Sequence, residues 1–391
     1  MNIGKATKFL EEKFHLKEWK KKVQDERKRP IISPGVIFKL VREMVFLGQK
    51  SLLSVDKFNR STEVLNWYGK KGKKMVVSDT TMTLSLGGFN CEKLREILKD
   101  AYRVSEKEGT SAMTLPSGKK LRIGIVDGSK LGGIMGSVLM VPGIVNAPLD
   151  VERYTMGKEL EATKIVLNRT VKRFGKGFVN IILGDALYLT TNHISQCREH
   201  LGSEVLIKTE NECLDIIKDA RGLFFGAEGK IGDGIEQLKG LDITRSIEYE
   251  IIACSDFRWQ ELPYEFKIAH VREKKLKPIK GRSEIKEFWI VTTDVNLSGE
   301  DMRELYHIRW EIENNVFKRL NSLVKSKRGY IRNPKVKEAL LLIWFVGLIL
   351  LGFYIMWQNL REKKESAKKG WNRIIQEFWL TFYLSVKMET G

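Results

Sequence analysis

Apolar and polar positions follow different periods along the chain, and these periods predict its elements. In the first part, apolar side chains recur with helical spacing, which predicts helices over residues 5–25, 35–47 and 93–105. From about residue 116, short apolar runs predict strands over residues 120–126, 137–145, 150–156, 178–183 and 204–209. Between these strands, helical spacing returns over 158–174 and 187–201. Strands that alternate with helices indicate an α/β sheet covered by helices.

The pattern changes again in the second half of the chain. Residues 211–286 are rich in glycine and charge and contain two strand-like runs, at 246–253 and 265–271, which predicts a β-rich insertion. A strand over 288–293 follows, and Ser298 then provides an N-cap for a long helix from about residue 300 to 324.

Residues 339–357 contain no charged side chain and are long enough to cross a bilayer as a helix. Both flanks of this segment are basic, so the charges define no membrane orientation. A chain of 391 residues needs a central helix that is apolar all round, and we therefore favour a core helix over a membrane span. Residues 1–22 mix acids and bases, which argues against a signal peptide.

The charge of the chain points to an anionic partner. Lys and Arg number 68 against 49 Asp and Glu, which gives a net charge of +19. The basic run at 69–74 lies in the helical N-terminal part and is a candidate DNA contact, although such a run is also typical of a solvated surface. The 4 cysteines lie far apart without a C-x-x-C motif, which argues against a disulfide scaffold or a zinc ribbon and favours the cytoplasm.

Two aspartates end apolar strands. Asp127 follows the run LRIGIV and Asp185 follows FVNIIL, the positions at which α/β sheets place ligand-binding groups. Together they are candidate metal ligands. The alternatives are a hairpin turn at Asp127-Gly128 and a helix cap at Asp185. Asp294 ends the run FWIVTT in the same way, so the position alone does not distinguish it.

A third carboxylate lies in the long helix with two phosphate-binding side chains. Tyr306, Arg309 and Glu313 fall on one face of a regular helix. Arg and Tyr can hold a phosphate and Glu can hold a cation. The alternative is a surface ion pair between Arg309 and Glu313. The next positions on this stripe, Phe317 and Leu320, are apolar, which indicates an inward-facing stripe.

At these residues the chain resembles the bacterial insertion-sequence transposases of the DDE type, which carry a Tyr-Arg-Glu-Lys signature. The resemblance covers most of residues 76–357 and rests on three motifs: IGIVDGSKL, IILGDALYL and YHIRWEIENNVFKRLNSL. It implies an α/β fold with a ribonuclease-H-like mixed sheet and flanking helices. A β-rich insertion interrupts that sheet, and a mostly helical N-terminal region precedes it.

The resemblance also implies the site. Asp127, Asp185 and Glu313 would be the catalytic residues and would hold two Mg²⁺ ions, for which Mn²⁺ can substitute. The reaction would be cleavage at the transposon ends and strand transfer into target DNA. Implied DNA contacts are Tyr306, Arg309, Lys318 and, in the insertion, Trp259. Leu320 occupies the position of the signature lysine, which leaves Lys318 as the nearest base.

The implied organisation has four parts. Residues 1–115 would bind the DNA ends, 116–210 with 287–360 would form the catalytic domain, 211–286 the insertion and 361–391 a helical tail. The partner would be double-stranded DNA, bound by a homodimer without membrane attachment in the bacterial cytoplasm, at the nucleoid. The alternatives are an inactive or domesticated DNA-binding protein and another metal-dependent nuclease of the same fold.

Overall fold

The structure is a computed structural model. It describes residues 3–60, 76–131, 133–226, 234–259, 262–276, 285–324 and 331–361, together with Arg373 and Gln376. The predicted basic loop at 69–74 and nearly all of the predicted tail at 361–391 lie outside these residues. The described chain is mixed α/β with a large mixed sheet, as predicted at that level.

The elements follow in this order. The N-terminal part contains helices α1 (Ile3–Phe14), α2 (Leu16–Lys22), α3 (Pro34–Leu47), α4 (Leu52–Asn59), α5 (Asp79–Gly87) and α6 (Cys91–Lys107). The middle part contains β1 (Met113–Thr114), β2 (Lys120–Leu121), β3 (Ile123–Leu131), β4 (Ile134–Val141), β5 (Ala147–Tyr154), α7 (Glu159–Phe174), β6 (Ile181–Gly184), α8 (Thr191–Ser195), β7 (Glu204–Thr209) and α9 (Asp215–Phe225). The last part contains β8 (Glu236–Asp242), β9 (Ile247–Phe257), β10 (Phe266–Lys275), β11 (Ile285–Thr292), α10 (Gly299–Arg309), α11 (Lys318–Val324) and α12 (Pro334–Arg361).

Local sequence signals explain several helix starts. Ser298 accepts a hydrogen bond from the Asp301 backbone N–H, which confirms the predicted N-cap of α10. Pro34 opens α3, where its missing N–H costs nothing. Asn90 caps α6 by accepting hydrogen bonds from two backbone N–H groups of the first turn.

Three predicted helices are interrupted. The helix predicted over 5–25 breaks at His15, whose φ of 52° is left-handed. The helix predicted over 187–201 is α8 between a 3₁₀ turn (Ala186–Tyr188) and a π-helical turn (Gln196–Leu201). The long helix predicted from 300 to 324 ends as α10 at Arg309, and a π-helical turn (Glu313–Phe317) precedes α11.

The chain divides into two compact units. The first unit contains Met1–Ser111, Gly128–Ala162 and Ile312–Gly391, and the second contains Ala112–Asp127 and Thr163–Glu311. The domain boundaries implied by the resemblance remain a prediction.

The first unit is built around α12. This helix is long and apolar enough to cross a membrane, and 94% of its most apolar window is buried inside the protein. It packs on α3, α6, α5 and β5. A Cβ atom on Gly347 would lie 2.8 Å from the Val45 side chain, so only glycine allows this close approach to α3. The burial agrees with the predicted core helix.

A buried ion cluster also stabilises the first unit. Arg95 on α6 donates to Asp150 on β5 at 2.8 Å and to Glu338 on α12 at 2.6 Å. Both α6 and β5 pack on α12, and the arginine thereby satisfies two carboxylates. In the same unit, β4 pairs antiparallel with β5.

The second unit contains the larger part of the sheet. Its strands lie in the order β3-β6-β7-β11-β10-β9-β8. The pairs β3 with β6 and β6 with β7 are parallel, and the remaining pairs are antiparallel. The predicted insertion at 211–286 is indeed β-rich in its described part, and its strands β8, β9 and β10 extend the sheet beyond β11.

Candidate functional site

Asp127 and Asp185, here called the strand-end pair after their predicted position, lie in the second unit. Asp185 follows β6, but Asp127 lies within β3, which continues to Leu131, so the prediction that Asp127 ends a strand is wrong. In the parallel register of β3 and β6, Ile123 faces Ile181 and Ile125 faces Leu183. This pairing ends two residues before Asp127 and Asp185. Adjacent strands lie about 4.8 Å apart, so this register brings Asp127 and Asp185 to neighbouring positions just beyond the pairing. Both are partly exposed, at the carboxyl end of β6.

Asp185 also has a local structural role. Its Oδ1 accepts a hydrogen bond of 3.0 Å from the Leu187 backbone N–H and so caps the 3₁₀ turn after β6. This is the capping role that the sequence offered as the alternative. A Cβ atom on Gly184 would lie 2.9 Å from the Tyr188 ring, so this turn is held tightly against the strand end. The cap uses one carboxylate oxygen of Asp185. In the described part of the chain, the other oxygen has no hydrogen-bond donor and is available for a ligand.

Gly128, directly after Asp127, lies against a carboxylate that the sequence analysis missed. In the first unit, a Cβ atom on Gly128 would lie 2.3 Å from the Glu159 carboxyl and from the Tyr154 hydroxyl. Tyr154 donates a hydrogen bond of 2.7 Å to Glu159. Only glycine fits at this position, and a glycine inside a strand, directly after Asp127, was the available signal for this close contact.

Helix α10 contributes Tyr306 to the second unit. The side chain is 6% exposed, and its ring centroid lies 4.3 Å from that of Phe288 on β11. Burial raises the pKa of the Tyr306 phenol above its ordinary value. The phenol is therefore protonated at neutral pH and can donate a hydrogen bond.

Arg309 ends α10 beside Trp310. Its guanidinium carbon lies 4.7 Å from the centre of the Trp310 ring, a cation–π contact. The Nε atom of Arg309 is buried and has no hydrogen-bond partner among the described residues. A buried donor without a partner is costly, so this guanidinium suits an anionic ligand.

The helix break changes the predicted stripe of Tyr306, Arg309 and Glu313. That stripe assumed one regular helix, but α10 ends at Arg309 and a π-helical turn begins at Glu313. A π turn holds more residues than an α turn and therefore changes the angular phase of the side chains that follow. The single regular helix assumed for this stripe is thus replaced by α10 and a π-helical turn that begins at Glu313. Glu313 is partly exposed and belongs to the first unit.

Leu320, at the position of the signature lysine, and Lys318, the nearest base, differ in exposure. Leu320 is fully buried, so the residue at the signature position serves the core of the first unit. Lys318 is exposed and donates a hydrogen bond of 2.7 Å to Asn314. Lys318 is therefore the side chain of the two that can reach a phosphate.

The predicted stacking residue, Trp259, is buried. It is 5% exposed and makes an edge contact with Phe266, with the ring centroids 6.2 Å apart. Its neighbour Arg258 is exposed. A base can stack on Trp259 only if this side chain leaves its present packing.

Asp294, the third strand-end aspartate, has a structural role. It pairs with Lys119 at 2.8 Å and accepts a hydrogen bond from the Asn296 backbone N–H. Its charge is compensated within the second unit, which makes it a suitable control for the other two aspartates.

A charge cluster that the sequence pattern did not reveal, buried at Glu273 and Arg303, holds α10 on the sheet. We call Glu273, Arg303, His307, Asp242 and Arg245 the closed cluster. Glu273 on β10 accepts hydrogen bonds of 2.7 Å from Arg303 and from His307 Nε2. Asp242 at the end of β8 accepts hydrogen bonds from Arg303 and Arg245. The cluster therefore ties two insertion strands to the helix that carries Tyr306.

The hydrogen bonds in the closed cluster set the pKa values of its carboxyls. Burial by itself raises the pKa of Glu273, but the hydrogen bonds from His307 and Arg303 outweigh it and leave the pKa below its ordinary value. Burial likewise opposes ionisation of Asp242, and the hydrogen bonds from Arg245 and Arg303 lower its pKa to about 2. Both carboxyls are charged at neutral pH.

The residues only partly fit the implied Mg²⁺ ions. Two neighbouring aspartates supply the hard oxygen donors that Mg²⁺ prefers. Among the described residues, however, no group of three or more His, Cys, Asp or Glu side chains lies close enough to hold a metal ion. The strand-end pair is thus the best-supported part of the predicted site.

No protein-family model matches this sequence, and no curated protein matches it either. The fold is therefore described by its class alone, mixed α/β with a large mixed sheet. The function has to be inferred from the side chains at the strand ends and on α10.

Proposed function

We propose that the chain is a DDE transposase that cleaves DNA at transposon ends and joins the ends to target DNA. The observation that carries this proposal is the register of β3 and β6, which brings Asp127 and Asp185 to neighbouring positions. Two carboxylates at neighbouring positions of adjacent parallel strands are a suitable arrangement for binding divalent cations.

The strand pairing supports a ribonuclease-H-like sheet as the finer fold proposal. β3, β6 and β7 form a parallel run, and β4 pairs antiparallel with β5 directly after β3 in the sequence. Helix α7 then leads from β5 to β6. An antiparallel excursion followed by parallel strands agrees with the fold that the resemblance implies.

Asp127 and Asp185 would hold Mg²⁺, with Glu313 as the proposed third ligand. When bound, two Mg²⁺ ions activate water or a 3′-hydroxyl and stabilise the leaving 3′ oxygen. Arg309 would bind a phosphate of the DNA through its buried, unpartnered guanidinium edge. Tyr306 would donate a hydrogen bond to the same backbone. No nucleophilic side chain is needed, because the attacking oxygen belongs to water or DNA.

The net charge of +19 supports DNA as the partner. Joining two transposon ends requires two active sites, which supports a homodimer in the DNA complex. A DNA partner also supports a cytoplasmic location at the nucleoid. Lys318 is exposed and could add a phosphate contact, whereas Trp259 would have to leave its buried position to stack on a base.

The test uses a plasmid that carries the gene with its flanking DNA, incubated with the full chain and Mg²⁺. We expect cleavage and strand transfer, and we expect Asp127→Asn, Asp185→Asn and Glu313→Gln to lose both while they still bind the DNA. A loss of about a thousandfold corresponds to the several kcal/mol that charge stabilisation by bound metal supplies. Asp294→Asn is the matched control and should retain activity. Loss of activity in Asp294→Asn with retention in Asp185→Asn would refute the assigned site.

A DNA-binding protein without catalysis is the second candidate. It is favoured by Leu320, which puts a buried apolar side chain at the position of the signature lysine. The same assay separates the two candidates. Binding to the flanking DNA without cleavage by the wild-type chain in either Mg²⁺ or Mn²⁺ would support this second function.

A further inference from the structure

The loop between α2 and α3 has the features of a DNA minor-groove contact. We propose that its tip, Lys28 to Ile31, enters the minor groove of duplex DNA, with Arg29 in the groove and Ile31 wedged against a base step. This inference rests on the proposed DNA-binding function and names a contact surface for it.

The base of the loop is firmly anchored in the first unit. The Asp25 carboxylate, whose side chain is 1% exposed, accepts hydrogen bonds from Arg27 and from Ser85 on α5. Arg27 in turn donates to the Ile32 carbonyl oxygen at 2.9 Å. This ion pair therefore ties both sides of the loop together beneath the tip.

Two backbone hydrogen bonds complete the anchor. The Glu26 N–H donates to the Gly88 carbonyl at 3.1 Å, and the Asn90 N–H donates to the Gln24 carbonyl at 3.2 Å. A Cβ atom on Gly88 would lie 3.1 Å from the Glu26 nitrogen, so this approach is close. The loop is thus prearranged, which lowers the ordering cost of binding.

The tip itself is exposed and basic. Lys28 and Arg29 are exposed, and neither pairs with an acidic side chain in the part of the chain that the structure describes. Arg29 has a φ of 50°, a left-handed conformation that non-glycine residues adopt rarely. Ile31 is 104% exposed, so its side chain contacts almost nothing in the protein.

Comparison with other exposed apolar residues shows what is particular to Ile31. Ile243 is 82% exposed, but the nearby Arg245 is paired with Asp242 and Glu304. Met156 is 97% exposed, and the nearby Lys158 is paired with Glu161. Single exposed apolar side chains are ordinary. At Ile31 the exposed side chain lies beside two bases without acidic partners, on an anchored turn.

These properties match the chemistry of the minor groove. A narrow minor groove concentrates negative potential and attracts inserted arginine. Apolar wedges such as isoleucine partly unstack a base step and bend the duplex. An arginine and an isoleucine two positions apart on a prearranged turn can make both contacts, while Lys28 reaches a flanking phosphate.

The test measures binding of the full chain to a fluorescent A·T-rich duplex over a series of salt concentrations. We expect Arg29→Ala and Ile31→Ala to weaken binding by about tenfold each, which is within the range for a groove contact. Lys28→Ala should lower the slope of log affinity against log salt by about one, the amount for one phosphate. Ile31→Ala should leave that slope unchanged, because it removes no charge.

Matched controls come from the same unit. Ile144 is 69% exposed and Lys21 is exposed on α2, so Ile144→Ala and Lys21→Ala test loss of an apolar or basic surface side chain elsewhere. Both should bind like the wild type. A minor-groove-binding drug should displace the wild type more effectively than the Ile31→Ala variant.

These measurements distinguish failure of the proposed DNA-binding function from failure of the loop assignment. No DNA binding by the wild-type chain would overturn the proposed function together with this inference. Binding that Arg29→Ala and Ile31→Ala leave unchanged would overturn the loop assignment alone. The loop assignment would also be overturned if Ile31→Ala left DNA binding intact and instead abolished binding to phosphatidylglycerol vesicles.

Discussion

The closed cluster and Asp185, both in the second unit, differ in the groups that bind their carboxylates. In the closed cluster, Glu273 receives hydrogen bonds from Arg303 and His307, both from α10. Asp185 instead receives its described hydrogen bond from a backbone N–H. Basic side chains therefore compensate the charge of Glu273, whereas the described hydrogen bond to Asp185 comes from a neutral backbone group.

This difference separates a structural role from a functional one. Removing one member of a buried ion pair leaves the other charged and desolvated, so it destabilises the fold. Neutralising a partly exposed aspartate that serves as a cap costs little, because Asn caps as well as Asp. A substitution in the closed cluster should therefore lower the stability of the fold, whereas Asp185→Asn should leave it nearly unchanged.

The largest effect on stability is expected for Glu273→Ala. The substitution leaves Arg303 and His307 without their shared acceptor, and we expect the free energy of unfolding to fall by about 3–5 kcal/mol. Urea denaturation measures this change. Glu287→Ala on the neighbouring strand is the control, since that carboxylate is about half exposed and pairs with Arg272 at 3.1 Å. It should cost at most about 1 kcal/mol. Equal costs would show that the closed cluster does not hold α10.

A smaller effect is expected from Mg²⁺ on the strand-end pair. A ligand that binds only the folded chain stabilises it by about 2.7 kcal/mol at a hundredfold excess over its Kd. We expect Mg²⁺ to raise the free energy of unfolding of the wild type and of Asp294→Asn. Asp127→Asn and Asp185→Asn should lose most of this gain. Urea denaturation with and without Mg²⁺ provides the comparison, and a full gain in Asp185→Asn would contradict the assigned ligands.

Acid should affect the closed cluster before it affects the apolar core. Asp242 has a pKa of about 2 in the folded chain, below its ordinary value of 3.8. Its contribution is present above the ordinary value and is lost as the pH falls towards the folded value. We expect a loss of about 1 kcal/mol over this range, since Asp242 lies near solvent. Asp242→Asn should be less stable at neutral pH and lose less on acidification, as measured by urea denaturation at several pH values.

Much of the fold could be predicted because its signals are local. The apolar runs predicted the strands, and the uncharged segment predicted the core helix α12. The strand-end position of Asp185 also came from local pattern, whereas Asp127 lies within β3 because the strand continues past the apolar run that predicted it. These features depend on residues that are close in sequence or on one strand pairing.

The missed features depend on distant residues. Glu273 and Arg303 each look like solvent-exposed charges in sequence, and only the pairing of insertion strands with α10 brings them together. Glu159 became visible only through its contact with Gly128. The π turn at Glu313 also lacks a sequence signal, because it does not change the apolar spacing enough to be recognised.

The smallest effect on stability is expected for Tyr306→Phe. This substitution separates the packing of the Tyr306 ring on α10 from the hydrogen bond of its phenol. The ring keeps its packing on Phe288, so the free energy of unfolding should change by less than about 1 kcal/mol. Burial raises the pKa of the phenol, so the wild type donates its proton throughout the neutral range and the variant loses one hydrogen bond. We expect DNA cleavage to fall by about fivefold to tenfold.

Tyr249→Phe is the matched control for this prediction. Tyr249 donates a hydrogen bond of 2.9 Å to Glu300, a contact within the sheet and helix packing of the same unit. Its removal should cost about 1 kcal/mol of stability and leave cleavage unchanged. Cleavage rates and urea denaturation measured on both variants decide the matter. If the two variants showed the same pattern, Tyr306 would be a packing residue of α10, and the phosphate contact would rest on Arg309 alone.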